Sequence, residues 1–230
     1  MNDNAEHSQD ETSEAPTLFG SIRGNGLRLG VFALTCTAVI AGTAALTEQR
    51  IAEQQRQAQL KALYQIVPAD AHDNDLLADQ RQLKIEELGH REPRSFYLAR
   101  RDEQATTLIY PATARDGYSG DIDFIVGINL ADGSVAGVRV LQHRETPGLG
   151  DKIDARKSDW INDFAGKRLG SPPLEQWTVS KDGGVFDAFT GATITPRAVT
   201  VSIANTLRYH HQHIEALLDR FDAAPAGSDK

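Results

Sequence analysis

Residues 121–143 read DIDFIVGINLADGSVAGVRVLQH, in which two runs rich in Val and Ile flank an Asp-Gly pair at Asp132 and Gly133. Side chains branched at Cβ favour extended backbone, and Asp-Gly is a strong signal for a tight turn between antiparallel strands. The stretch therefore predicts a β-hairpin at the centre of a strand-rich region.

Shorter runs on both sides of the hairpin predict further elements. Residues 95–100 (SFYLAR) and 106–111 (TTLIYP) have the composition of strands, and residues 176–180 (QWTVS) indicate another. Residues 157–164 are predicted as a helix with Ser158 as its cap.

Residues 196–221 form the longest predicted element of this region. A helix that packs one face on the sheet is predicted by apolar residues at helical spacing, namely Val199, Ile203, Leu207, Ile214, Leu217 and Leu218. Thr195 stands where an N-cap belongs, and Pro196 suits the first helical position. Together the elements predict an α+β fold, a small strand-rich domain with packed helices over residues 95–222.

The N-terminal part contains a candidate membrane span. Residues 29–47 read LGVFALTCTAVIAGTAALT, without a charged side chain, and a helix of roughly 20 apolar residues can cross a bilayer. We assign one transmembrane helix to residues 26–47. A cleaved signal peptide and a buried core helix are the alternatives, but the apolar run is longer than a signal peptide core and polar, helix-forming sequence follows it.

The remaining segments connect or end the chain. Residues 1–25 are predicted as a disordered cytoplasmic tail, acidic up to Phe19, and residues 223–230 as a second disordered tail. Residues 48–94 are predicted as a helical stalk and a connecting segment, with the helix ending at Pro68 and a polar loop over residues 69–80.

Composition excludes several classes of function. The net charge is −8, which argues against a nucleic-acid binder with a basic face. Cys36 is the single cysteine, so neither a disulfide framework nor a cysteine-rich zinc or iron–sulfur site can be held by this chain alone. A redox role would therefore need an organic cofactor.

Two loops carry the candidate chemistry. Residues 190–195 read TGATIT just before the last helix, where small residues, free N–H groups and the positive helix end suit a phosphate. The alternative is that Thr195 only caps the helix. Residues 143–150 read HRETPGLG, where the glycines predict an exposed, tightly folded loop. Leu149 on such a loop could cover a flat ring. The alternative is that the segment is a plain turn after a strand.

Other candidates are weaker. His210, His211 and His213 lie on the last helix, but no carboxylate spacing completes a metal site, so we expect a solvated helix end and no metal. Trp160 and Trp177 are expected in the core. The chain has no P-loop, no G-x-G-x-x-G fingerprint and no G-x-S-x-G nucleophile elbow.

The two loops also carry a family resemblance. TGATIT resembles the [SDT]-G-A-T-x-[ST] motif of FMN-binding domains, and HRETPGLG resembles the ETPGLG loop of the same domains. With the single N-terminal span, the chain is similar over about residues 25–220 to the RnfG (RsxG) family, the G subunits of Rnf electron transport complexes. Thr190 departs slightly from the family, which more often has Ser or Asp there, and Pro196 is also unusual.

The resemblance implies a covalent flavin. Thr195 would be the acceptor of a phosphoester bond to FMN, made by a separate flavin transferase from FAD, so Thr195 is a modification site and no residue of the chain is catalytic. The resemblance implies further cofactor-binding residues, which would shape the phosphate pocket or lie against the isoalloxazine. From the TGATIT loop they are Thr190, Gly191, Ala192 and Thr193, and from the HRETPGLG loop they are Glu145, Thr146, Gly148, Leu149 and Gly150.

The resemblance also implies a place of action. The chain would be the electron-carrying component of a bacterial inner-membrane complex that exchanges electrons between NADH and ferredoxin and moves ions, with its C-terminal domain in the periplasm. Its partners would be the other membrane and peripheral subunits and the flavin transferase. The alternatives are a flavoprotein like the C subunit of a sodium-translocating NADH:quinone reductase, or a non-redox membrane-anchored binding or assembly protein.

Overall fold

A computed structural model describes residues 18–223 of the chain, so most of the N-terminal and nearly all of the C-terminal predicted tail lie outside the described residues. The chain divides into two compact units, Met1–Arg56 and Gln57–Lys230.

The described part of the first unit is helical. Helix α1 spans Leu18–Tyr64, so its last residues belong to the second unit. Within it, Asn25–Ala44 is a stretch of 20 residues that is long and apolar enough to cross a membrane. Leu29 and Phe32 in this stretch are exposed, as are most side chains described there. The stretch overlaps the span predicted for residues 26–47.

A five-stranded sheet forms the centre of the second unit. Its strands pair antiparallel in the order β1-β2-β3-β4-β5, with β1 at Gln80–Leu83, β2 at Arg94–Arg101, β3 at Gln104–Ala114, β4 at Ile122–Asn129 and β5 at Val135–Gln142. The β4–β5 hairpin and strands β2 and β3 confirm the predictions. β1 is not predicted, because its four mostly polar residues lack a strand pattern; Gln80 falls in the predicted loop and the rest in the connecting segment.

Both faces of the sheet are covered by apolar side chains. Helix α2, Ile194–Asp222, packs on one face, where Val199, Ile203 and Leu207 are buried with Phe96 and Leu98 of β2. The opposite face packs in a separate cluster formed by Leu63, Ile66, Val67, Leu76, Tyr97, Ala99, Ile109 and Ile125. Alternate residues of β2 therefore enter different cores. The predicted α+β fold and the predicted packing face of the last helix are both confirmed.

The segment between β5 and α2 differs from its prediction. Residues 176–180 are not a strand: they connect short 3₁₀ helices at Leu174–Gln176 and Ser180–Asp182, and Val179 makes a single bridge to Phe186. An aromatic cluster packs against this segment: the rings of Phe164 and Phe186 stack with centroids 4.3 Å apart, and Trp177 lies beside them.

The helix predicted for residues 157–164 is shorter. It is a 3₁₀ helix at Trp160–Phe164, and the remaining 3₁₀ turns are Glu86–Leu88 and Gly150–Ile153. Ser158 is not its N-cap, although its Oγ accepts the Trp160 backbone N–H at 3.3 Å. Trp160 and Trp177 are buried, which confirms their assignment to the core.

The prediction that the three histidines of the last helix lie at a solvated helix end is wrong for His210. His211 and His213 are exposed, but His210 is buried, and its Nδ1 lies 2.8 Å from the Tyr110 hydroxyl of β3. Burial penalises the charged imidazolium and lowers the pKa of His210 to about 4. The same burial raises the pKa of Tyr110. The pair is a neutral polar contact between helix and sheet.

The pKa of His210 predicts how stability depends on pH. An unfolded histidine has a pKa near 6.5, so between about pH 6.5 and pH 4 the unfolded chain binds more protons than the folded chain. The stabilisation is present above that window and is lost as the pH falls. We expect urea unfolding to show about 2 kcal/mol less stability at pH 5 than at pH 7 from this residue. His210→Gln should no longer show this loss of unfolding free energy between pH 7 and pH 5, whereas His211→Gln should still show it. Equal pH dependence in both variants would contradict the assignment of the effect to His210.

Candidate functional site

The two loops singled out in the sequence meet at the start of α2. They enclose a cavity of about 220 Å³ whose wall is formed by Tyr118, Glu145, Thr146, Leu149, Gly150, Gly191, Ala192, Thr193, Ile194 and Thr195. Of the predicted site residues, only Thr190 and Gly148 stand outside this wall. The structure therefore brings the two motifs into one site.

A buried hydrogen bond joins the two loops. Thr195 Oγ1 donates to Glu145 Oε2 at 2.5 Å, and the two residues are 0 % and 4 % exposed, respectively. The other carboxylate oxygen, Oε1, accepts the backbone N–H of Ser119 at 2.9 Å. A buried carboxylate needs such donors, and both of its oxygens are thereby fixed in direction. A hydroxyl hydrogen-bonded to a carboxylate is also the arrangement by which a weak nucleophile is activated.

Gly150 is the residue that permits this contact. A Cβ at position 150 would lie 2.8 Å from Glu145 Oε2 and 2.9 Å from Thr195 Oγ1, closer than real Cβ atoms approach such groups. The turn around it is held by the carbonyl of Thr146, which accepts the N–H groups of Leu149 and Gly150, both at 3.1 Å. Glycine at 150 therefore allows the loop to pack directly on the hydroxyl–carboxylate pair.

Leu149 stands at the mouth of the cavity. Its side chain is 42 % exposed, which agrees with the prediction of an apolar residue held out on this loop. Across the cavity, Gly191 has a left-handed backbone with φ of +81°, and a Cβ there would lie 3.6 Å from Leu149 Cδ2. The narrow gap between the two loops is therefore lined by an apolar side chain on one side and bare backbone on the other.

The start of α2 differs from its prediction. Thr193, not Thr195, is the N-cap, Ile194 is the first helical residue, and Pro196 is the third. Proline is tolerated there because N–H groups of the first turn have no partner within the helix. Thr195 lies inside the first turn, which directs its hydroxyl to Glu145 rather than to a backbone N–H. The interpretation of Thr195 as a mere cap is wrong.

A cation lies beside the cavity wall. Lys181 Nζ donates to Thr193 Oγ1 at 3.1 Å. The adjacent Asp182 is bound by both guanidinium donors of Arg197 on α2, and this pairing holds the pKa of the Asp182 carboxyl below its usual value. The loop that carries Lys181 is thus attached to the helix, and the ammonium lies beside Thr193 of the cavity wall.

Sequence reasoning missed Tyr118, Ile194 and Lys181. Tyr118 is 70 % exposed at the cavity wall, in a glycine-rich turn that has no periodicity to interpret. Lys181 lies just before Gly183 and Gly184, a pair that could have indicated a tight turn: a Cβ at Gly184 would lie 1.8 Å from the Thr178 carbonyl oxygen. Within residues 18–223, no group of three or more His, Cys, Asp or Glu side chains is placed to hold a metal ion.

Comparison with known proteins places the site within a family domain. Residues 117–208 match the family model of the FMN-binding domain, and residues 17–66 match that of the RnfG N-terminal region. The G subunit of the ion-translocating oxidoreductase complex of Vibrio atlanticus strain LGP32 is 45 % identical over 201 residues, covering 87 % of this chain and 96 % of that protein.

Two further similarities come from other bacteria. The protein of the same description from Pseudomonas aeruginosa strain UCBPP-PA14 is 46 % identical over 205 residues, covering 89 % of this chain and 95 % of its own. Among solved structures, that of Shewanella oneidensis NqrC is 20 % identical with a TM-score of 0.41, covering 63 % of this chain and 70 % of that one.

The close packing at Gly150 predicts a selective loss of stability. Gly150→Ala should cost about 1–3 kcal/mol of unfolding free energy, because the added methyl must displace Glu145 or Thr195. Gly137→Ala is the matched control, since a Cβ there meets its neighbours at ordinary distances of 3.5 Å or more. Urea unfolding of the two variants measures the difference. Equal stability of the two variants would show that the loop yields without cost.

Proposed function

The chain belongs to the family of G subunits of ion-translocating oxidoreductase complexes. We propose that it carries FMN covalently, through a phosphoester bond to Thr195 Oγ1, and relays electrons within such a complex. Members of this family are subunits of an oxidoreductase complex, and the chain has an FMN-binding domain. The observation that carries the proposal is the Thr195 hydroxyl, held against a buried carboxylate at the edge of a cavity.

The phosphate end of FMN suits the start of α2. Gly191 and Ala192 leave room beside the backbone, and the positive end of a helix favours an anion. The Lys181 ammonium, which donates to Thr193 Oγ1 at the wall, would add a positive charge on this side of the cavity. These groups would hold a phosphate attached to Thr195, with Thr190 completing the loop.

The ring end suits the open side of the cavity. The isoalloxazine is flat and largely apolar, and Tyr118, Leu149 and Ile194 present exposed apolar surface around the opening. Thr146, Gly148 and Gly150 form the loop that positions Leu149. FMN supplies one- and two-electron chemistry when bound, and the protein's part is to hold and orient it.

A covalent tether has a physical advantage for an electron carrier outside the cytoplasm. A compartment without an FMN pool cannot replace a flavin that dissociates, whereas a tether keeps the ring at high effective concentration near its partners. Under the proposal, electrons passing between NADH and ferredoxin cross this flavin. The other membrane and peripheral subunits supply the preceding and following carriers, and a flavin transferase makes the bond.

The proposed domain organisation follows from the apolar helix. Residues 26–47 would cross a bacterial inner membrane, residues 1–25 would remain in the cytoplasm, and residues 48–94 would lead to an FMN-binding domain at 95–222 in the periplasm. The support is the apolar stretch Asn25–Ala44 and the membership of a membrane-complex family.

Orientation is tested by protease accessibility. Protease added to spheroplasts should digest the C-terminal domain, because it would face the medium, whereas inverted membrane vesicles should protect it. A tag at each end of the chain, followed by immunoblotting, reports which side is cut. Protection in spheroplasts together with digestion in inverted vesicles would reverse the assignment.

Covalent attachment is tested in a denaturing gel. Protein from cells that contain the flavin transferase should give a fluorescent flavin band, and Thr195→Ala should give none because the acceptor oxygen is gone. Thr195→Ser should retain the band, and Thr106→Ala, a threonine of β3 that is not part of the cavity wall, should also retain it. Fluorescence in Thr195→Ala would place the flavin elsewhere, and a dark wild-type band with active transferase would refute the covalent flavin.

A further inference from the structure

We propose that the Glu145 carboxylate accepts the proton of Thr195 Oγ1 while FMN is attached, so that this chain supplies the general base for its own modification. The inference rests on the covalent attachment proposed above and assigns a role to a residue that would otherwise only line the cavity. It makes Glu145 a participant in maturation of the protein.

The geometry is that of a positioned base. Glu145 Oε2 lies 2.5 Å from Thr195 Oγ1, within the reach that proton transfer requires, and both side chains are buried. The carboxylate cannot rotate freely, because Oε1 accepts the Ser119 N–H at 2.9 Å. The backbone is also held, since the Glu145 N–H donates to Nδ1 of His143 at 3.2 Å. The base is thus oriented before any substrate arrives.

Neighbouring titratable groups are engaged elsewhere. His143 uses Nδ1 to accept the Glu145 N–H, and Asp151 Oδ1 accepts the Gly148 N–H at 2.7 Å. Lys181 Nζ donates to Thr193 Oγ1 and makes no hydrogen bond to Thr195 in the described structure. Glu145 is the hydrogen-bond acceptor of the Thr195 hydroxyl in the structure, which makes it the group to which the proton can pass directly.

The chemistry of the step requires such a base. A threonine hydroxyl is a weak nucleophile at neutral pH and is activated by an adjacent proton acceptor. In the step, Thr195 Oγ1 forms a bond to the FMN phosphorus of FAD, the bond from that phosphorus to the bridging pyrophosphate oxygen breaks, and AMP leaves. The hydroxyl proton goes to Glu145 Oε2, so atoms and charges balance without an oxidant or reductant.

The charge on Glu145 also favours transfer of the proton from Thr195 to this carboxylate. A carboxylate that remained ionised would face a phosphodiester anion at hydrogen-bond distance inside a buried site, and like charges so placed repel strongly. A carboxyl group that has taken up the proton is neutral and can donate a hydrogen bond to a phosphate oxygen. Proton transfer therefore removes a repulsion that attachment alone would create.

The test measures the rate of flavin attachment. Full-length protein made without the transferase is mixed in detergent with purified flavin transferase and FAD, and covalent fluorescence in denaturing gels is followed over time. Glu145→Gln, which keeps the shape but cannot take the proton, should slow attachment by about 100-fold or more, as loss of a general base does. Glu175→Gln, an exposed glutamate away from the cavity, should label at the wild-type rate.

A second variant separates proton transfer from folding. Glu145→Ala should be as slow as Glu145→Gln, and added formate should speed its labelling by about tenfold or more, by acting as a small replacement carboxylate. Urea unfolding of each variant reports whether it is folded. This measurement decides the question if the glutamine variant is unstable, because rescue by formate requires a folded site.

The outcomes distinguish the two proposals. Slow labelling of a folded Glu145→Gln variant, with rescue of Glu145→Ala by formate, supports Glu145 as the base. Labelling of folded Glu145→Gln within about threefold of wild type would overturn it and assign the base to the transferase, while the covalent flavin stands. A dark wild-type protein, with a transferase shown to label another acceptor, would refute the attachment itself and the role of Glu145 with it.

Discussion

The cost of burying the Glu145 carboxylate is the constraint on which the site depends. A buried ionised group is tolerated only with donors on its oxygens, and here these are the Ser119 N–H and the Thr195 hydroxyl. The donors come from different loops, so one carboxylate ties the turn after β3, the loop after β5 and the start of α2 together. Gly150 follows from the same constraint, because a Cβ there would lie 2.8 Å from Glu145 Oε2.

The covered sheet gives this site its rigid base. Because apolar clusters lie on both faces, the strands are held along their length, and the loops at their ends carry the polar chemistry. The Tyr110–His210 contact adds one oriented polar link between the sheet and α2. The helix that presents Thr195 is therefore fixed by its own packing, independently of any cofactor.

The sequence was sufficient where local patterns and tertiary packing agree. The β4–β5 hairpin and the apolar face of α2 could be predicted because turn chemistry and periodicity point the same way. The meeting of the two motif loops followed from family resemblance, not from periodicity. Other features depended on distant contacts: β1 is mostly polar and exists through its pairing with β2, and His210 is buried against a tyrosine that is far away in the chain. The N-cap at Thr193 depended on how the loop turns at Gly191, which composition does not determine.

The strand order has a consequence for how the molecule is assembled. Each strand pairs with the one before it along the chain, so the sheet can grow by local steps as successive segments become available. Thr195, by contrast, belongs to the last element and lies 50 residues beyond Glu145, so their contact requires α2 to be in place. A chain truncated before α2 therefore lacks both the acceptor hydroxyl and the helix that covers one face of the sheet. Under the proposed attachment at Thr195, flavin loading would therefore require a chain that is complete through α2.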